Sequence, residues 1–375
     1  MLYSTDFMTF YICLEASSFA VFLLCLLGSK TIVKVESTVK YFVITCFSSS
    51  FILLGMSLLY KIYGTLDFGH LGLIYFENHI GADFYMVFPL MLVLLGLIFK
   101  IGLFPGYAWV ADVSEGIGWG PFLLVNVLMK LVLLIFVKLV IFDIYNFPIL
   151  PAVVGIGSYL MGTFLTLAQT KLVRFLAFGS ISHLGLVFST FGLSDFGAAG
   201  LFYLVLYFFA LSRFVALIDS TILNTSRLVY LTDLSYLLDD EERDKFLYSI
   251  LELGGFPPFN LFWMKLLIVG FLLKNGFFWL VVCVLLISVV GLFYYLRVLK
   301  NVIYDLNSPF VIRMRTLRSA MGFDLYGLVD SVAVGIVYWL LFVLDANIDF
   351  EDLSFMVIFV CDCVTAVLLS IMLIK

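Results

Sequence analysis

The chain has 375 residues, a formal net charge of −5, and a composition that is 63% hydrophobic but only 13% charged. Ordinary soluble domains are about 45–50% apolar, so a soluble core could not bury this much apolar surface. The composition therefore excludes a soluble globular protein and predicts an integral membrane protein. It gives no support to nucleic-acid binding, which depends on clustered basic residues.

Apolar runs of about 20 residues, the length of helix that crosses the hydrocarbon core of a bilayer, recur along the whole chain. They predict an all-α membrane protein with about eleven transmembrane helices, because the alternating pattern of barrel strands is missing. In chain order the predicted spans are 7–27, 38–60, 84–104, 119–142, 150–170, 175–192, 197–223, 246–272, 277–300, 327–345 and 354–374.

Charges in the connections separate by sign when these spans are threaded through a membrane. Basic residues collect on one side and acidic residues on the other, apart from Lys61 and Lys274. By the positive-inside rule the basic side faces the matrix or cytoplasm, so we expect the N-terminus outside and Lys375 inside. The arginines of the loop 305–326 are able to pair with acidic lipid head groups or with a neighbouring subunit.

The cysteines form no CxxC pair and no cluster with histidine, so we expect neither a metal site nor disulfide bonds. They lie in apolar stretches, where cysteine is a small packing residue. The six are Cys13, Cys25, Cys46, Cys283, Cys361 and Cys363.

Charged residues inside the predicted spans need a specific explanation. A charge at the centre of a bilayer costs about 2.5–3.5 kcal/mol even on the lenient insertion scale, so such residues mark hydrated or paired sites. By contrast, we expect Lys138 and Lys274 to extend to the membrane interface. The four candidates for functional charges are Glu15, Lys100, Lys130 and Lys265.

Two of these lysines adjoin sequences that break a helix. Lys100 precedes Pro105, and Lys265 follows Pro257 and Pro258. Proline removes a backbone donor and clashes with the preceding turn. Because broken helices at membrane depth are tolerated only against protein or water, these lysines are predicted to face a hydrated interior.

The two breaks lie five spans apart, which predicts inverted five-helix repeats of the kind found in transporters. The first repeat would be 1–142, shortened at its N-terminus, and the second 143–304. The remainder, 305–375, would hold a loop and two C-terminal transmembrane helices.

The chemistry of buried lysine suits proton movement. Burial disfavours the ammonium form, whereas a nearby carboxylate favours it, so a carboxylate that approaches or leaves loads or releases a proton. Glu15 is the candidate partner of Lys100. His183 is able to relay protons, or equally to be a hydrogen-bonded packing residue.

Further charged residues of the later spans leave two interpretations open. Arg213 and Asp219 are one to two helical turns apart, and we expect them to neutralise each other. Glu252 is either a boundary residue or an acidic relay.

Several segments resemble the antiporter-like subunit 2 family of respiratory complex I, the NADH:ubiquinone oxidoreductase. The resemblance is colinear from about residue 14 to residue 300. The segments are FKIGLFPGYAWVADV at 99–113, VRFLAFGSISHLG at 173–185, LGGFPP at 253–258 and LFYYLR at 292–297.

The resemblance implies an antiporter-like, proton-translocating subunit without cofactors of its own. It would make Glu15 and Lys100 the helix-borne pair, Lys130 the central lysine and Lys265 the lysine of the second broken helix. NADH, FMN, Fe–S clusters and ubiquinone are expected in partner subunits. Expected partners are other membrane-arm subunits, accessory subunits and phospholipids such as cardiolipin.

The chain also departs from the family pattern. Tyr107 and Ala111 stand where the family has histidine and proline, Arg213 is unexpected, and the last span looks additional. The shortened N-terminus and the 41 phenylalanines favour the mitochondrial inner membrane, with the N-terminus toward the intermembrane space, over a bacterial plasma membrane.

Two other functions remain open. A cation/proton antiporter subunit of the same superfamily would need no NADH dehydrogenase. A scaffold without transport activity is disfavoured, because it would have no reason to bear the cost of four buried charges.

Overall fold

The computed structural model describes residues 1, 3–27, 32–77, 84–142, 149–192, 197–225, 230–231, 240–257 and 259–303. The predicted spans 327–345 and 354–374, the loop 305–326 and Pro258 lie outside the described residues. Within them the chain is almost entirely helical, as the composition predicted, because a lipid-exposed backbone must satisfy its own hydrogen bonds.

The helices follow one another with short connections. They are α1 Phe7–Leu26, α2 Ile32–Tyr63, α3 Phe68–Glu77, α4 Phe84–Ile101, α5 Ala108–Gly116, α6 Trp119–Phe142, α7 Ile149–Ala168, α8 Leu172–Thr190, α9 Gly197–Thr225, α10 Asp240–Gly254, α11 Asn260–Lys274 and α12 Phe278–Ile303. Among the described residues, seven helices are long and apolar enough to cross a membrane, namely α1, α2, α6, α7, α8, α9 and α12.

The predicted span 246–272 corresponds to two helices, α10 and α11, on either side of the second predicted break. The first break likewise follows α4, after which α5 forms a short separate helix. The short helix α3 was not predicted, since its run of apolar residues is too short to register as a span.

Glycine, rather than proline, ends the helices at both breaks. Gly102 and Gly255 have φ values of +79° and +70°, a conformation that glycine adopts without a steric penalty. Leu103 N donates to Ile98 O at 3.1 Å and Phe256 N to Leu251 O at 3.2 Å, the pattern of a Schellman cap. The prolines that follow keep each helix from resuming directly.

Lys130 lies on an irregular helix. Within α6, the segments Leu124–Leu128 and Val137–Phe142 are π-helical, and they flank the α-helical segment Met129–Phe136 that carries Lys130. Such single-turn π segments inside a helix occur frequently at functional sites.

Helices α7 and α8 approach each other closely through glycine. A Cβ atom on Gly155 would lie 2.5 Å from Ser189 N, and one on Gly162 would lie 2.6 Å from Ser182 N. On the opposing helix, a Cβ on Gly185 would lie 2.5 Å from Tyr159 N. Small residues at such interfaces permit backbone contact where no hydrophobic force drives helices together.

This packing predicts a difference between two glycines. We expect Gly185→Ala to lower the free energy of unfolding by about 1–3 kcal/mol, because the added methyl meets backbone. Gly270→Ala in α11 adds a methyl to open space and should be neutral or stabilising, since alanine favours helix over glycine by about 1 kcal/mol. Denaturant titration of the solubilised protein measures both, and equal effects would contradict the packing argument.

Candidate functional site

Glu15 and Lys100 form an ion pair between α1 and α4. Lys100 Nζ donates to Glu15 Oε1 at 2.7 Å. The Lys100 side chain is only 6% exposed and that of Glu15 is 32% exposed. The structure therefore brings together the two residues that were predicted to be partners, with the lysine on the enclosed side.

Lys100 and Lys130 line a common cavity of about 20 Å³. This is enough space for a water molecule, which requires about 10–15 Å³ by this measure and several polar partners. Polar groups from three further elements surround it, namely those of Ser17, Ser18, Tyr41 and Trp109. The cavity therefore places the two lysines on one hydratable space.

Lys130 is fully buried and its described hydrogen-bond partner is an amide. Its Nζ lies 3.3 Å from Asn126 Oδ1, and Asn126 Nδ2 donates to Ser114 Oγ at 2.8 Å. In the part of the chain that the structure describes, Lys130 has no carboxylate partner within ion-pair distance. Its charged form is thus stabilised by neutral dipoles alone, so its proton is held less firmly than that of a paired lysine.

His183 joins three helices through its ring nitrogens. Nδ1 lies 2.5 Å from Tyr203 Oη on α9, and Nε2 lies 3.3 Å from Tyr295 Oη on α12. A neutral imidazole donates from one nitrogen and accepts at the other, so both contacts are satisfied by one tautomer. Tyr207 stacks on the ring at a centroid distance of 4.3 Å. This geometry suits either of the two predicted roles of His183.

Lys265 folds back over the second helix break. Its Nζ approaches Gly254 O at 3.4 Å, and a Cβ on Gly255 would lie 3.0 Å from the same nitrogen. The charge of Lys265 also acts electrostatically on His183. A carbonyl freed by the end of α10 therefore serves as the acceptor for this lysine, as expected for a broken helix at an interior site.

Arg213 contacts a residue other than the one predicted. It forms an ion pair with Glu252 of α10, rather than pairing simply within α9. The Glu252 side chain is 3% exposed, so this carboxylate lies inside the protein beside the second break and is not a boundary residue. Contact between α9 and α10 brings the two together, which spacing along one helix does not reveal.

The prediction that Lys138 extends to the interface is wrong. Lys138 is buried, because α6 is enclosed by neighbouring helices over most of its length. Lys274, at the end of α11, is exposed. Position near the end of a span therefore does not determine exposure when the helix is central.

A cluster of charges joins α5 to the start of α8. Glu115 pairs with both Lys171 and Arg174, and Arg174 Nη2 lies 2.8 Å from Asp112 Oδ1. Burial alone would raise the pKa of Glu115, but hydrogen bonds and charge from Lys171 and Arg174 outweigh it. The pKa of this carboxyl therefore lies below its ordinary value.

This lowered pKa predicts a pH dependence. A carboxyl whose folded-state pKa is lowered contributes stability above its unfolded-state pKa, about 4.3, and loses it as the pH falls through the folded-state pKa. The stability advantage over Glu115→Gln should therefore be constant near neutral pH and shrink below about pH 4. Thermal unfolding across pH measures it, and an advantage that grows on acidification would contradict the assignment.

Several residues of the site were not predicted from sequence. Asn126 had a usable signal, since it lies four residues before Lys130 and so on the same helix face. Ser114 and Tyr203 carried none, because only tertiary packing brings them to the charged residues. Within the described ranges there is no group of three or more His, Cys, Asp or Glu side chains that could hold a metal ion.

Residues 4–291 match the family described as NADH:quinone oxidoreductase/Mrp antiporter, transmembrane. Similar proteins include NADH-quinone oxidoreductase subunit N of Thioalkalivibrio sulfidiphilus, 28% identical over 90% of this chain and 75% of the relative. That of Pelagibacter ubique is 30% identical over 81% of this chain and 66% of the relative. The chain thus spans about two thirds to three quarters of the length of these bacterial relatives.

Solved structures show the same architecture. A chain of respiratory complex I from Thermus thermophilus aligns with a TM-score of 0.70 at 26% identity, covering 90% of this chain and 74% of that chain. A chain of the Mrp complex from Dietzia sp. aligns with a TM-score of 0.73 at 20% identity, covering 82% of this chain and 59% of that chain. The helical membrane fold is therefore antiporter-like, and the chain belongs to the NADH:quinone oxidoreductase/Mrp antiporter transmembrane family.

Proposed function

We propose that this chain conducts protons across the membrane as a subunit of an NADH:quinone oxidoreductase. The observation that carries the proposal is the cavity between Lys100 and Lys130, since it joins a carboxylate-paired lysine to a lysine without a carboxylate partner. A proton held at the first lysine has a hydratable space through which to reach the second. The similarity to subunit N of NADH-quinone oxidoreductases supports the choice of enzyme.

The proposed axis runs from Glu15 and Lys100 through Lys130 and His183 to Lys265. Separation of Glu15 from Lys100 would lower the proton affinity of the lysine and release its proton toward the cavity. Lys130 would receive that proton and later pass it on. His183, which lies between hydrogen-bonding tyrosines and within electrostatic range of Lys265, would carry it toward the second broken helix.

The redox chemistry would take place in other subunits. We propose that NADH, FMN, Fe–S clusters and ubiquinone are bound there, and that this chain packs among other membrane-arm subunits, accessory subunits and phospholipids such as cardiolipin. A mitochondrial inner membrane location with the N-terminus toward the intermembrane space remains part of the proposal, although the relatives described above are bacterial.

A cation/proton antiporter subunit is the second candidate. It is favoured by the fold shared with the Mrp complex and by the family itself, which includes both kinds of assembly. In that case Na⁺ or K⁺ flux would be coupled to the same lysines, and no NADH oxidation would accompany it.

Native electrophoresis of gently solubilised membranes distinguishes the two. We expect peptides of this chain, identified by mass spectrometry, to peak in a large band that stains for NADH oxidation. If they migrate instead in an assembly without that activity, the oxidoreductase proposal is wrong and the antiporter becomes the working function.

A further inference from the structure

Arg213 is a charge in the middle of a membrane-spanning helix that the described residues only half cover. It lies within the apolar window Ala199–Asp219 of α9. Its side chain is 47% exposed although it pairs with the buried Glu252. Arginine carries five donors, and in the described part of the chain Glu252 is the acceptor that its guanidinium reaches. A half-exposed guanidinium at this depth requires a further polar partner, because lipid offers none.

The surface around Arg213 has the shape of a seat for a helix. Its members recur with spacings of three, four and three residues, the pattern of a seam between two packed helices. This surface, the Arg213 face, consists of Leu206, Phe209, Arg213 and Ala216, all of them partly or fully exposed. The small side chain of Ala216 permits close approach of a second helix one turn away from the charge.

The last predicted span, 354–374, has a complementary stripe. Asp362 is the one charged residue in that span, and it lies near the middle of it. The stripe on its side of a helix is Phe355, Phe359, Asp362 and Ala366. The other predicted C-terminal span, 327–345, has its aspartates, Asp330 and Asp345, near its two ends and so at the wrong depth.

The two stripes also agree in direction. Spans 197–223 and 354–374 are the seventh and eleventh of the predicted series, so they cross the membrane the same way. In that parallel arrangement an Arg213–Asp362 pair brings Phe209 beside Phe359. It also brings Ala216 beside Ala366, two small residues that allow close contact.

We infer that the last predicted span packs on the Arg213 face and that Asp362 pairs with Arg213 within the membrane. Arg213 would then lie between Glu252 and Asp362, so that its charge is covered on both sides. Two departures from the family pattern, the unexpected arginine and the additional last span, would account for each other. The inference concerns a contact within the chain and does not depend on the proposed function.

Cysteine cross-linking tests this contact in the assembled protein. In a chain whose native cysteines are replaced by alanine, Ala216→Cys with Ala366→Cys should form a disulfide on mild oxidation, since it requires Cα atoms about 6 Å apart. Cross-linked chain should migrate faster than linear chain in a denaturing gel and revert on reduction. The matched control is Ala216→Cys with Val364→Cys, which lies at the same depth on the far side of the helix.

A cross-link in the first variant and its loss in the control are the expected result. Equal cross-linking in both variants, no cross-link in the first, or a cross-link from Ala216→Cys to another subunit would each overturn the inference. A neighbouring subunit that covers the Arg213 face would give the last of these outcomes.

A second measurement in the native cysteine background covers the case in which the cysteine variants fail to fold. Asp362→Asn and Arg213→Gln should each lower the melting temperature of the protein, and the double replacement should lower it by less than the two shifts combined. Residues in contact are non-additive in this way, whereas distant ones add. Additive shifts would therefore exclude the pair.

Discussion

Replacement of Lys130 by methionine is expected to lower the coupled proton-pumping rate by at least about tenfold, since positioned proton-transfer groups contribute about 10²–10⁴-fold. Methionine resembles lysine in length and is apolar, so the enclosed site on α6 should keep its packing. The assembled complex should therefore still be recovered, with its NADH oxidation by artificial acceptors intact. Proton uptake measured in reconstituted vesicles during NADH oxidation gives the result.

Two further variants separate proton exchange from charge and from general damage. Lys130→Arg keeps the positive charge but holds a guanidinium that does not release its proton, so it should pump as poorly as the methionine variant. Lys61→Met removes an exposed lysine at the end of α2 and should leave pumping unchanged. Normal pumping by Lys130→Arg would show that Lys130 supplies only a fixed charge.

The helices were predictable because lipid leaves so few alternatives. A run of about 20 apolar residues has to be helical in a bilayer, and the predicted spans through residue 300 each meet one or two helices. The helix ends were less predictable, since Gly102 and Gly255 rather than the following prolines end α4 and α10. The π-helical segments of α6 leave no mark in the apolar pattern, because every residue there is apolar apart from Asn126, Lys130 and Lys138.

The charged residues were predictable as exceptions but not always as pairs. The cost of burial singles out Glu15, Lys100, Lys130 and Lys265 without any structure. Partners depend on which helices touch, so Glu15 with Lys100 was a choice among few carboxylates, whereas Arg213 with Glu252 required contact between α9 and α10. Hydroxyl and amide partners such as Ser114 are common residue types, and nothing local distinguishes them from packing residues.

The Glu15–Lys100 pair should be coupled far more strongly than an exposed pair on the same protein. Removal of one member leaves the other as an uncompensated charge in partly buried surroundings. Because Glu15 is 32% exposed, we expect a coupling energy of about 1–3 kcal/mol, below the range for fully buried pairs. The matched control is the pair of Lys40 with Glu36 on α2, which is 48% and 60% exposed and should couple by about 0.3–0.5 kcal/mol.

Double-mutant cycles of Glu15→Gln with Lys100→Met, and of Glu36→Gln with Lys40→Met, measure the two couplings by denaturant titration of the solubilised complex. Proton pumping should separate the pairs further. Glu15→Gln removes the group that draws a proton onto Lys100, so pumping should fall with either member, whereas both control variants should pump normally. Equal coupling in the two cycles would mean that enclosure between α1 and α4 adds nothing to the pair. Normal pumping by Glu15→Gln would remove the carboxylate from the proposed axis and leave Lys130 as its first exchanging group.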